Sequence, residues 1–333
     1  MGSCASRETH VSASIDGLLY RDALKESLVI KLLLLGTGEC GKSTVLKQLQ
    51  ILHMNGFSES EVHAAKAAIY RNMVSGVVAM LRAMAELGVR FALDGQSTSA
   101  QLLLRLEEDC SWGFWDDLPS DAFDAMQRLW HDRGVRAVYE RRNEFQLMDA
   151  IKYRTPTTGV VEVEFALKDA IFRVIDVGGQ RSQRRKWIHQ FEKVQAIVYI
   201  CAVSEYDQRL REDKQTNRME ESIQLFRRLT ASRWFKRVAF MLFLNKCDLF
   251  KEKLERVPIS QLFVSFSEED GDPHDYDDAI AYVTRLFESM NRVDGRRFYV
   301  YETCATDTQL TKKVLEGVTD TVVQLNMRGA ALV

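Results

Sequence analysis

The segment Gly36-Thr37-Gly38-Glu39-Cys40-Gly41-Lys42-Ser43 has the spacing G-x-x-x-x-G-K-S. A glycine-rich loop lets successive backbone N–H groups converge on an anion, and a helix starting at its end adds a dipole of the right sign. Lys42 of such a loop reaches the β- and γ-phosphates of a nucleotide, and the Ser43 hydroxyl binds Mg²⁺. The loop specifies a phosphate site and leaves GTP and ATP both open. A second segment, Phe172-Arg173-Val174-Ile175-Asp176-Val177-Gly178-Gly179-Gln180, reads as a strand ending in a carboxylate. Asp176 can hold the Mg²⁺ shell through water, Gly179 lets a backbone N–H approach the γ-phosphate, and Gln180 can orient a water for in-line attack. Asn245-Lys246-Cys247-Asp248 selects the base. Guanine presents two adjacent donors, N1–H and the exocyclic amine, and the Asp248 carboxylate can accept both in one charge-assisted pair. Adenine lacks that pair of donors, so a desolvated carboxylate facing it would stay unpaired, which costs on the order of several kcal/mol and argues against an ATP-using kinase or ATPase. Thr303-Cys304-Ala305-Thr306 would offer a backbone N–H to the guanine O6.

These groups need strands that end where they begin. Leu28 to Leu35 is a nearly continuous apolar run of strand length, as in a strand buried on both faces of a parallel sheet. After the glycines, Val45, Leu49 and Leu52 recur at i, i+4 and i+7 and start a helix. Strand patterns return at Val160 to Phe165, Phe172 to Ile175, Ala196 to Val203, Val238 to Leu244 and Phe298 to Tyr301, most of them separated by helical segments. That is the rhythm of a parallel sheet with crossover helices, and NKCD then falls at a strand C-terminus, where open α/β sheets bind ligands.

Between Gly56 and Tyr153 the character differs. Ile69, Met73, Val77, Met80, Met84 and Leu87 keep helical spacing, Gly88 and Gly134 read as helix ends, and Pro119-Ser120 reads as the start of a helix carrying Phe123, Met126 and Trp130. The expected organisation is an N-terminal membrane- and partner-binding segment (1–27, its residues from 7 onward a surface helix), an α/β domain built from 28–55 and 154–333, and an inserted all-helical domain at 56–153.

A formal net charge of −2, from 45 basic and 47 acidic residues, shows no electrostatic footprint for nucleic acid. The six cysteines have no CxxC spacing, which fits neither a zinc site nor a disulfide framework and points to a reducing compartment. The acidic stretch Glu268 to Asp278 lacks EF-hand spacing and reads as a solvated loop. No apolar run approaches the roughly 20 residues of a membrane helix. Instead Met1-Gly2-Ser3-Cys4-Ala5-Ser6 fits the myristoylation pattern M-G-x-x-x-[ST], with Cys4 near enough for a second acyl chain. One acyl chain binds membranes marginally, so stable anchoring needs a second signal.

Taken together, GTGECGKST at 36–44, RTPTTG at 154–159, DVGGQRSQRRKWIHQFE at 176–192, NKCD at 245–248 and TCATDT at 303–308 resemble the alpha subunits of heterotrimeric G proteins, almost from end to end. The resemblance implies a Ras-like P-loop GTPase domain of α/β class with a mainly parallel sheet, plus a helical domain that closes over the nucleotide. It implies a GTP/GDP switch that binds Mg²⁺, hydrolyses GTP, couples a seven-transmembrane receptor to an effector and pairs with a beta-gamma dimer at the cytoplasmic face of the plasma membrane. Arg154 then looks like a built-in arginine finger, Thr157 like the second protein ligand of Mg²⁺ beside Ser43, and Gln180 like the water-orienting residue. The nucleotide contacts implied are Glu39, Cys40, Gly41, Lys42, Ser43, Thr44, Arg154, Thr157, Asp176, Gly179, Asn245, Lys246, Asp248, Cys304 and Ala305. Thr157 and Gly179 would hold their loops only while a γ-phosphate and Mg²⁺ are present. Arg181 to Phe191, around Trp187 and Ile188, resembles the surface shared by the beta-gamma dimer and effectors, with Trp187 alternatively a core residue, and Val322 to Val333 resembles the receptor-contacting tail. Gly2 and Cys4 are the lipidation positions.

Three departures stand out. Between Tyr139–Leu147 and Arg154 the family has a much longer stretch, whereas this chain has only Met148 to Tyr153, so the helical domain is shortened. Lys152-Tyr153 fits the end of a long helix or a remnant of the linker equally. Cys40 stands where relatives often carry Ser, and Ala330 where some subfamilies carry a toxin-modified cysteine. A shortened lid also raises a rival reading, a nucleotide-holding scaffold with weak or absent GTPase activity.

Overall fold

The computed structural model describes residues 29–54, 56–108, 118–142, 145, 157, 159–167, 170–210 and 212–330, with side chains to 322. Gly2, Cys4, Arg154 and the expected surface helix at 7–27 lie outside the described residues. The chain divides into two compact units, one of Met1–Gly56, Thr157–Arg209 and Gln215–Val333, the other of Phe57–Pro156 and Leu210–Lys214.

The first unit is built on a six-stranded sheet of β1 (Val29–Leu35), β2 (Val160–Leu167), β3 (Ala170–Val177), β4 (Ala196–Ala202), β5 (Ala239–Asn245) and β6 (Phe298–Thr303), in the order β2-β3-β1-β4-β5-β6. All neighbours run parallel except β2 and β3. The few residues between β2 and β3 are too short for a parallel crossover, so this pair is an antiparallel hairpin at the sheet edge. The expected strands are all present, and β2 is the one that departs from the parallel rhythm. Its alternation buries Val163 and Phe165 and leaves Glu162 and Glu164 outside, where Arg173 pairs with both.

Helices cover both faces, and the central strands are apolar on both sides accordingly. Leu33 and Leu35 of β1 join the core formed with α6 (Arg218–Thr230) and α8 (Tyr276–Glu288), through Met219, Phe226, Val283 and Phe287. Ile30, Leu32 and Leu34 join the opposite core, with Val45, Leu46 and Leu49 of α1 (Lys42–His53) and Leu315, Val318 and Val322 of α9 (Thr308–Ala330). Another helix described in this unit, α7 (Cys247–Leu254), starts at the C-terminal end of β5.

The second unit, among its described residues, is helical: α2 (Glu59–Glu86), α3 (Gln96–Glu108), α4 (Ser120–Trp130) and α5 (Arg133–Glu140). Ser58 and Glu61 form a reciprocal capping box at the start of α2, and Gly88, at φ +67°, follows its end as expected. Gly134 corrects its expectation, because it lies in the first turn of α5 rather than at a helix end. Its lack of a side chain serves packing, since a Cβ would fall 2.2 Å from the Arg90 carbonyl oxygen. Of the α4 residues marked in the sequence only Met126 is buried. Phe123 and Trp130 are exposed, and Ala122, Ala125 and Leu129 fill the core beside Met126.

Candidate functional site

The phosphate loop follows β1 and turns through backbone conformations that its glycines permit. Gly36 has φ +147°, and a Cβ there would lie 2.4 Å from the Ile200 carbonyl oxygen of β4. Gly41, at φ +110°, immediately precedes α1. Lys42 is buried, and its ammonium donates to the carbonyls of Thr37 (2.7 Å) and Gly36 (3.2 Å) and approaches Cys40 Sγ at 3.7 Å. Carbonyl dipoles solvate that charge without neutralising it, so the loop keeps a net attraction for an anion. Burial raises the Cys40 thiol above its usual range despite the nearby Lys42 charge, leaving it a neutral wall of the loop.

Three oxygens meet at the start of α1. The Ser43 hydroxyl donates to Asp176 Oδ2 at 2.5 Å and lies 2.9 Å from Thr157 Oγ1. Asp176, next to last in β3, is buried, and its other oxygen, Oδ1, has no hydrogen-bond partner among the described residues. Burial pushes its pKa up, more than the Lys42 charge and the hydroxyls of Ser43 and Thr157 draw it down. A buried acid with one bare oxygen, beside two hydroxyls, is a hard-oxygen donor set that a small divalent cation would satisfy. Next along the chain, a Cβ on Gly178 would fall 2.4 Å from the Thr157 carbonyl oxygen. On Gly179 it would fall 2.3 Å from Lys42 Nζ and 2.4 Å from the Thr37 carbonyl oxygen. Only glycine permits this approach of the two loops. Gln180 is exposed, its Cγ 3.5 Å from the Cβ position of Gly38. Thr44 lies in the first turn of α1, half-buried.

The loop expected to select the base is tied to the glycine-rich loop by one amide. Asn245 is buried; its Nδ2 donates to the Cys40 carbonyl at 2.8 Å, and its Oδ1 accepts from the Ala305 N–H at 3.0 Å and from the Thr303 hydroxyl at 3.2 Å. Lys246 then adopts a left-handed conformation, φ +65°, which turns the chain into α7 with Asp248 exposed in its first turn. Burial lifts the Cys247 thiol to about 11, so it is not a nucleophile at neutral pH. Cys304 is half-buried beside Thr306, its sulfur 3.2 Å from the hydroxyl oxygen.

Ionic contacts that no motif announces complete the frame. Arg218, the first residue of α6, pairs with Glu39 of the phosphate loop and, at 3.2 Å, with Glu205, which also takes the Lys246 ammonium at 2.6 Å. Behind Gln180, the 3₁₀ segment Arg181–Gln190 is held by Arg181 and Arg184, which both bond Glu221. Within the segment that resembles a partner surface, Trp187 follows the core alternative: it is buried, and its indole N–H donates to the Gly178 carbonyl at 2.8 Å. Ile188 beside it is exposed.

The described candidate residues thus all belong to the first unit and cluster at the C-terminal ends of β1, β3, β5 and β6. A sequence model of the family described as "G-protein alpha subunit" matches residues 9–154 and 148–322, two stretches that overlap at 148–154. The chain is similar to the guanine nucleotide-binding protein alpha-17 subunit of Caenorhabditis elegans, 42% identical over 362 aligned positions with the whole of both chains covered. It is likewise similar to the G(o) subunit alpha of Locusta migratoria, 39% identical over 363 positions, again with both chains covered in full. An alignment of 362 positions over a chain of 333 leaves about 29 positions, 362 less 333, at which the worm protein has a residue and this chain has none.

Proposed function

Because this chain belongs to the G-protein alpha subunit family, we propose that it is a guanine-nucleotide switch that hydrolyses GTP to GDP and relays the state of a seven-transmembrane receptor to an effector. The observation that carries the reading is the convergence of Lys42, Ser43, Thr157 and the bare Oδ1 of Asp176 against two glycines that admit no side chain. Backbone N–H groups from Glu39 to Thr44 would receive the phosphates at the start of α1, and the Lys42 ammonium would exchange its loop carbonyls for phosphate oxygens. Ser43 and Thr157 would be the protein ligands of Mg²⁺, with Asp176 fixing the Ser43 hydroxyl by the bond it accepts. Bound there, Mg²⁺ supplies charge neutralisation to the phosphate oxygens.

Gln180, beside Gly38, would hold the attacking water in line, and Arg154 would set a delocalised charge against the oxygens that gain charge in the transition state. Asp248 would accept from the guanine N1–H and amine, Ala305 N–H would meet the guanine O6 from the loop that Asn245 fixes, and Cys304 and Lys246 would flank the ring. Loss of the γ-phosphate would remove what Gly179 and Thr157 hold, and the segment that carries the exposed Ile188 would change partner, between a beta-gamma dimer and an effector. Acyl chains on Gly2 and Cys4 would keep the switch at the cytoplasmic face of the plasma membrane. No helix among the described residues is long and apolar enough to cross a membrane.

A second reading rests on the shortening near 148–154: a scaffold that holds guanine nucleotide and hydrolyses it weakly. Single-turnover GTP hydrolysis separates the two. The switch predicts Mg²⁺-dependent phosphate release that Gln180→Leu abolishes, whereas a scaffold turns over no faster than that variant. Binding displaced equally well by ATP and GTP would overturn both.

A further inference from the structure

Away from the nucleotide site, at the opposite edge of the sheet where β5 and β6 begin, positive charge is concentrated. The chain leaving the last turn of α6 for β5 exposes Arg227, Arg228, Arg233, Lys236 and Arg237, and residues 227–237 contain no carboxylate. Arg292 and Arg297 are exposed just before β6, in a stretch, 291–297, whose one carboxylate is Asp294. The two segments lie side by side because β5 and β6 run parallel with Phe240 paired to Phe298.

They are also fastened together. The Phe240 N–H donates to the Arg297 carbonyl at 3.0 Å. Arg296, only 8% exposed, donates from Nη1 to the Thr230 carbonyl at 2.7 Å and from Nε to Asn291 Oδ1 at 2.5 Å, with its guanidinium 4.9 Å from the Phe240 ring centre. On this platform Trp234 is 48% exposed, with the Arg233 guanidinium 5.8 Å from its ring centre. None of the exposed cations named above takes part in a salt bridge among the described residues.

We infer that this edge docks the protein on an anionic phospholipid surface. Clustered Lys and Arg draw a protein to anionic headgroups, and an exposed indole is suited to the interface beneath them. A protein partner would call for an apolar centre within a polar rim. Here Trp234 is the one large apolar side chain exposed in either segment. The acylation pattern at Gly2 points the same way, since one acyl chain alone holds marginally and a polybasic patch is one form the second signal takes. The inference adds a contact to the membrane-associated switch proposed above and does not require the acyl chains.

The test uses full-length, unacylated protein loaded with GDP and Mg²⁺, sedimented with phosphatidylcholine vesicles with or without phosphatidylserine. Binding is expected only with phosphatidylserine, and it weakens as salt is raised. Each cation near the surface contributes about fivefold to partitioning. The triple variant Arg228→Glu/Lys236→Glu/Arg237→Glu should therefore bind at least tenfold more weakly, with GDP exchange unchanged as the check on folding. Should that variant fail to fold, Arg→Gln and Lys→Gln changes at the same positions provide the comparison. Equal binding to both vesicle types, binding to neither, full binding by the variant, or retention only by an acidic polypeptide such as polyglutamate overturns the inference. A failure of guanine binding appears in the exchange assay alone and leaves the vesicle result to be read separately.

Discussion

Replacing Arg218 by Met asks how firmly the phosphate loop is held to the frame around the base. The Arg218 side chain is 10% exposed, and it bridges Glu39 of the phosphate loop and Glu205, itself 5% exposed, which in turn holds Lys246. Methionine keeps much of the apolar stem and removes the charge. Deleting one partner of a buried ion pair costs roughly 3–5 kcal/mol, mostly because the remaining charge loses its compensation. Two features place this case at the low end. Glu205 keeps Lys246, and the Glu39 side chain is 17% exposed and can gain water. The expected loss is about 3 kcal/mol, which at an m-value of roughly 3 kcal/mol/M lowers the urea midpoint by about 1 M. The measurement is urea unfolding at saturating GDP and Mg²⁺, followed by the fluorescence of tryptophans such as the buried Trp187. Adding Glu39→Gln to the variant removes the stranded charge and should recover part of the loss. A drop of less than about 1 kcal/mol for Arg218→Met, or a further drop on adding Glu39→Gln, would refute the reasoning.

Gly179→Ala should leave GDP binding within a few-fold and weaken the Mg²⁺-dependent response to a nonhydrolysable GTP analogue at least tenfold, about 1.4 kcal/mol. Its methyl group would strike Lys42 Nζ and the Thr37 carbonyl, and limited proteolysis reads the effect. Asp248→Asn replaces a charge-assisted acceptor pair with a neutral amide, so guanine nucleotide should bind roughly 10–100-fold more weakly, as displacement of a fluorescent GDP would show. Acid should loosen the 3₁₀ segment through Glu221. Burial alone would raise its pKa, but the bonds from Arg181 and Arg184 outweigh burial and hold it below 4.5. Its contribution is therefore present above pH 4.5 and lost as the pH falls through the lower folded value. Arg184→Gln should flatten the acid limb of a urea-midpoint profile, and an unchanged slope would show that the pair has no such role.

The strands were readable because a parallel sheet covered on both faces writes itself as continuous apolar runs, and β1, β4 and β5 are of that kind. The direction of β2 was not readable, since alternation reports burial and carries no information on whether a partner runs parallel. Short chemical motifs singled out Lys42, Ser43, Asp176, Asn245 and Asp248, and the fold sets each at the end of a strand or in the first turn of the helix that follows one. The Arg218 contacts were hidden for a different reason. Glu39 and Arg218 are 179 positions apart, and no local pattern distinguishes that arginine from those on a solvated helix face. For Trp187 the sequence left surface and core both open, and the 3₁₀ geometry decides it by turning its ring inward and sending Ile188 out.

Asn245 ties the loops proposed to hold phosphate and base into one unit. Its Nδ2 holds the Cys40 carbonyl, and its Oδ1 holds the Ala305 N–H and the Thr303 hydroxyl, so one buried amide sets the spacing between loops from three parts of the chain. Gly41 belongs to the same device, because a Cβ there would lie 2.3 Å from Asn245 Nδ2 and push the loops apart. The glycine of the phosphate motif therefore answers to the base loop as well as to an anion, and changing either residue should disturb phosphate and base contacts together. A truncated Asn245 would leave the Cys40 carbonyl and the Ala305 N–H unpaired in a buried site, at about 1–3 kcal/mol each. That loss falls on the spacing of the loops, which is why an asparagine whose hydrogen bonds go to Cys40, Thr303 and Ala305 bears on what Lys42 and Asp176 are proposed to bind.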